Sequence, residues 1–145
     1  MGINYVVSPM PAINMQHHLA LQAAMAEQGI EFTKAELRQQ QSLVSRDMPT
    51  RLEVRVAALP PAPVGQLLIL SPDRGCDLEL FAKEAEAVVR AFQSTWPDSK
   101  QLISCDAALR DLFETSAEHA FKELWEGRLR QDPALLAMLG RPVLG

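Results

Sequence analysis

The clearest pattern in the chain is the strict alternation of Arg51-Leu52-Glu53-Val54-Arg55-Val56, which sets Leu52, Val54 and Val56 on one side and three charged residues on the other. That period of two predicts a half-buried β-strand. Upstream, Phe32, Ala35, Leu37, Leu43 and Val44 alternate weakly around the polar run Gln39-Gln40-Gln41, and predict one strand within residues 31–44. Residues 46–50 include Asp47, Pro49 and Thr50, turn chemistry that joins the two strands as a hairpin. Downstream, Pro60-Pro61-Ala62-Pro63 predicts a stiff extended connector. The apolar run Leu67-Leu68-Ile69-Leu70 then predicts a central strand buried on both faces. Ile3 to Val7 supplies an optional strand, and Gln101 to Cys105 a short one.

The helical period dominates elsewhere. Leu78, Phe81, Ala82, Ala85, Val88, Val89, Phe92 and Trp96 fall within about 120° of a helix circumference, with Asp77 as N-cap and Pro97 as stop. Leu80 points away from this stripe. An earlier helix, residues 13–28, is rich in good helix formers and ends at Gly29, but Leu19, Leu21 and Met25 define no single stripe. After residue 105 the chain reads as helical. Asp106 caps a short helix through Phe113, Thr115 and Glu118 form a capping box for a second helix to Arg130, and Pro133 starts a third ending at Gly140. The expected fold is α+β in the order α-β-β-β-α-β-α-α, a mainly antiparallel sheet of about four strands with helices on one face. Residues 1–145 are expected to form a single domain.

Composition narrows this further. With 145 residues, 48% hydrophobic, the chain can build a core without disulfides or a metal. The net charge of −4 argues against extended nucleic-acid binding, which wants clustered cations. No run of residues suits a membrane span, and the opening Met1 to Val6 carries no leader-like cation; a cytoplasmic location is expected.

Candidate chemistry is sparse. Cys76 and Cys105, 29 residues apart, each precede an aspartate, Asp77 and Asp106, at a predicted helix start, where a dipole could lower a thiol pKa. The adjacent carboxylate opposes that field, and inert packing explains both cysteines more simply. His119 could serve Cys105 as a base, with Asp106 or Glu123 orienting it, but His119 falls on a polar helix face. His17 and His18 are adjacent and diverge by about 100°, so no metal site is expected. Residues 34–55 carry five basic against three acidic side chains, among them Arg38, Arg46, Arg51 and Arg55. This region reads as a guard against edge pairing, or alternatively as a face for an anionic ligand. Trp96 and Trp125 read as core residues. No nucleotide-binding, zinc or hydrolase motif occurs, and no cofactor is expected.

The missing catalytic motifs, the apolar tail 141–145 and the excess of hydrophobic over charged residues favour a non-catalytic interaction module, a homo-oligomer or the binder of a protein partner. The alternative is a small enzyme or small-molecule-binding domain with a pocket between sheet and helices, where Cys105, Asp106 and Arg55 are the first groups to inspect.

Overall fold

Residues 1–73 and 77–108 are described by a computed structural model, and all of them fall in one compact unit, Met1–Asp111. Its elements are β1 (Gly2–Ser8), α1 (Met15–Glu27), β2 (Lys34–Arg38), β3 (Gln41–Arg46), β4 (Leu52–Ala58), β5 (Gly65–Leu70), α2 (Leu78–Thr95) and β6 (Gln101–Ala108). The six strands form one sheet in the order β2-β3-β4-β5-β1-β6, with every neighbouring pair antiparallel. The fold is therefore α+β and antiparallel, but with six strands instead of about four and an element order that begins with a strand.

The register defines two faces. On one, Leu37, Ser42, Val56, Leu67, Tyr5 and Cys105 stand in a row across all six strands. Next to it, Val44, Val54 and Ile69 are fully buried under the helices. The opposite face carries no helix among the described residues, and Glu36, Leu43, Arg55, Leu68, Asn4 and Asp106 cross it in a row. Leu68 and Leu70 are therefore only half-buried, which corrects the expectation that β5 is covered on both sides.

Three other differences have local causes. The single strand expected in residues 31–44 is a hairpin: Gln39 and Gln40 make a two-residue turn, with Gln40 at φ 56°, so the glutamine run is punctuation between β2 and β3. Pro60 to Pro63 forms the loop of the β4–β5 hairpin, closed by Leu59 N donating to Val64 O (2.9 Å), instead of an extended connector. β6 continues through Asp106 to Ala108, so Asp106 is a strand residue and not a helix cap. The helices expected from 109 onward lie outside the described residues.

Helix α2 follows its predicted stripe: Phe81, Ala85, Val88 and Phe92 are buried, and Asp77 Oδ1 accepts from Glu79 N (2.8 Å) as N-cap. Leu78 and Ala82, also placed on that stripe, are exposed. Helix α1 buries His18, Leu21 and Met25, spaced i, i+3, i+7. The stripe was hidden in the sequence because a histidine occupies one of its positions. Gly29, at φ 77°, follows the C-cap Gln28 and takes the left-handed conformation that ends this helix. No helix among the described residues is long and apolar enough to cross a membrane.

Two polar contacts tie the helices to β3. Arg46, expected in a turn, ends β3 on the helix-facing side, where its guanidinium pairs with Glu84 of α2 and donates to Thr50 Oγ1 (2.9 Å) and Thr50 O (3.1 Å). His18 Nδ1 lies 2.7 Å from Ser42 Oγ, both buried.

Candidate functional site

The residues singled out in the sequence do not converge. Arg55 and Asp106 share the open face but are separated by β5 and β1, about 14 Å at normal strand spacing. Cys105 neighbours Asp106 and so points to the other face, where it is exposed and stands opposite Tyr5. It sits in mid-strand and not at a helix start. Cys76, His119, Glu123 and Trp125 lie outside the described residues.

The basic stretch is paired in place, its five cations sharing four carboxylates. Lys34 pairs with Asp47 (3.1 Å), Arg38 with Glu36 (2.8 Å), Arg51 with Asp47 (3.8 Å), Arg46 with Glu84, and Arg55 Nε donates to Glu53 (2.6 Å). Every cation from 34 to 55 has a carboxylate partner, and Asp47 serves both Lys34 and Arg51. No cluster of three metal-ligating side chains occurs among the described residues. His17 packs on Trp96 (ring centroids 5.7 Å apart) and His18 bonds Ser42, so the two histidines are occupied separately.

A different site appears between the sheet and the end of α2. A cavity of about 420 Å³ is floored by Tyr5, Val7 and Leu67 and roofed by Val89, Phe92, Gln93 and Trp96. Its side is closed by Pro97, Ser99 and Lys100 of the α2–β6 loop and by Leu102 of β6. Its volume is in the range of small-molecule sites. Pro97 ends the helix, and Ser99 Oγ then donates to Pro9 O (2.6 Å), binding the loop to the chain that leaves β1.

The walls are aromatic and aliphatic. Phe92 and Trp96 rings lie 5.1 Å apart at 34°. The polar residues of the lining are few, Tyr5, Gln93, Ser99 and Lys100, and no acidic residue is among the described ones. Burial foremost, then the charge and hydrogen bonding of Cys105, push the Tyr5 phenol above its ordinary value, so Tyr5 is neutral at physiological pH. Trp96 is buried, and its Nε1 has no hydrogen-bond partner. An orphaned buried donor costs about 1–3 kcal/mol.

A pocket between sheet and helices belonged to the alternative reading of the sequence, which named Cys105, Asp106 and Arg55, none of them in this lining. Trp96 ended a visible apolar stripe and was read as core; Tyr5 and Lys100 carried no signal, because only the β1–β6 pairing brings residues near 5 and 100 together.

No protein-family model matches this chain, and no match emerges among curated proteins.

Proposed function

We propose that the protein is a non-catalytic self-assembly module that pairs through β6 with β6 of a second copy. The observation that carries this reading is the contrast between the two edges of the sheet. Edge strand β2 alternates Lys34, Glu36 and Arg38 with two apolar residues, so three of its five side chains are charged. Charged side chains guard an edge against pairing with another strand. Edge strand β6 has eight residues, all exposed, and Asp106 is its one charge. Leu102 and Ile103 stand 55% and 52% exposed, a degree that marks them as uncovered by the described residues. Among the described residues, one edge carries a charged guard and the other carries a single charge.

Symmetry suits the strand. Opposed residues in an antiparallel pair share a face, so a two-fold axis normal to the sheet must pass between copies of one residue. Centring it on Ser104 or on Cys105 overlaps most of β6, and in neither register does Asp106 oppose its own copy. The product is one continuous sheet of two six-stranded halves.

The test is the native mass of the full chain, wild type against Ile103→Lys. The wild type is expected at twice 16.0 kDa, and the variant, with a charge added to the pairing edge, at 16.0 kDa. A wild type that stays monomeric at high concentration, or a variant as dimeric as the wild type, overturns the proposal.

A further inference from the structure

We infer that α1 forms a second contact between copies of this chain, its exposed side packing antiparallel on α1 of another copy. The contact is separate from β6 pairing. It reaches a different copy, because α1 is bonded to β3 through His18 and Ser42, and three strands, β4, β5 and β1, stand between β3 and β6.

The two helices differ in what they expose. Helix α2 exposes Glu79, Lys83, Glu86 and Arg90, the charged outer face ordinary for a helix packed on a sheet. Residues 1–26 hold no Asp, Glu, Lys or Arg, and Glu27 is the one such residue of α1. Met15, Leu19, Ala23 and Ala26 lie within about 80° of the α1 circumference. All four are exposed, on a different side from the buried His18, Leu21 and Met25.

Size and charge both select a second α1 as the occupant of this stripe. Its large residues, Met15 and Leu19, stand in the N-terminal half, and its small ones, Ala23 and Ala26, in the C-terminal half. A two-fold axis crossing the helix near Leu21 sets Leu19 against Ala23 and Met15 against Ala26 of the other copy, large on small at each level. Glu27 is in the last turn, beside the negative end of its own helix, and makes no ion pair among the described residues. The first turn of α1 has no acidic residue. Antiparallel pairing carries each Glu27 to the positive end of the other helix, and no like charges meet along the stripe. Helix α1 is about 20 Å long, so the contact buries less than a standard interface and is weak, half-formed at about 100 µM. At low micromolar concentration it adds nothing to the mass of the β6 pair.

The experiment is sedimentation of the full chain in the Ile103→Lys background, from about 10 µM to about 1 mM. The mass is expected to double across that range. Leu19→Glu, at an exposed position, should abolish the doubling. Glu27→Lys should weaken association by about threefold or more. Its urea midpoint in the dilute sample should stay equal or rise, because a cation suits the C-terminal end of its own helix. A mass independent of concentration, a Leu19→Glu chain that doubles like its parent, or equal association in Glu27→Lys overturns the inference. Failure of β6 pairing reads out differently, as a wild type still monomeric at about 10 µM, and leaves these outcomes unchanged.

Discussion

Removing Glu84 should expose how much the fold depends on one ion pair under α2. The Arg46 and Glu84 side chains are 7% and 13% exposed, too little for solvent to screen their attraction. In Glu84→Ala the guanidinium keeps only the neutral acceptors Thr50 Oγ1 and Thr50 O. The loss of a charge-assisted hydrogen bond accounts for about 1.5–3 kcal/mol, and stranding a desolvated cation raises the total to about 3–5 kcal/mol. That is a large part of the roughly 5–15 kcal/mol that holds a domain folded. With a urea m-value of about 2 kcal/mol/M, the midpoint should fall by about 2 M at constant m. Glu84→Gln, which retains an acceptor without the charge, should lie between. The pair Arg46→Met with Glu84→Leu removes both charges together and should land within about 1 kcal/mol of wild type or above it. A loss below about 1 kcal/mol in Glu84→Ala would refute the reasoning, since the pair would then have to be hydrated.

Two further perturbations address the core. Burial lowers the His18 pKa from 6.5, so the native state binds fewer protons there than the unfolded chain below that pH. The His18 contribution to stability is complete above about pH 6.5 and declines as pH falls toward the lowered native value; urea midpoints at pH 7 and pH 5 should differ less in His18→Asn than in wild type, and equal differences would contradict this. A Cβ at Gly65 would collide with Met10 Cγ and lie 2.8 Å from Met10 Cβ, a buried side chain. Gly65→Ala should therefore cost about 1–3 kcal/mol in the same urea assay, and an unchanged midpoint would show that Met10 moves aside freely.

The sequence disclosed elements whose periodicity survives contact with the rest of the molecule. The alternation at Leu52, Val54 and Val56 became the helix-facing side of β4, and the stripe of α2 became its buried face, because each is set by one neighbour. Periodicity failed where a polar residue did a core residue's work: His18 fills a position in the α1 stripe, and Arg46 and Ser42 occupy the buried side of β3. Their partners, Glu84 and the facing histidine, come from elements distant in the chain. β6 was cut short because Asp106 satisfies a helix-cap rule, and pairing with β1 outweighs that local preference. The cavity was illegible for the same reason. It exists only where Tyr5 of β1, Trp96 of α2 and Lys100 of the loop meet.

Pairing through β6 is tested most directly by cross-linking at the strand itself. With Cys76 changed to Ser, Cys105 is the one thiol left, exposed in the middle of β6. A short bis-maleimide should then link two chains efficiently at micromolar concentration. Moving the single thiol to the guarded edge, as Glu36→Cys with Cys105→Ser, should abolish that product. Cross-linking through Cys105 and not through position 36 is the result the edge asymmetry predicts. Absence of a Cys105-linked dimer, or equal yields from both edges, would contradict it.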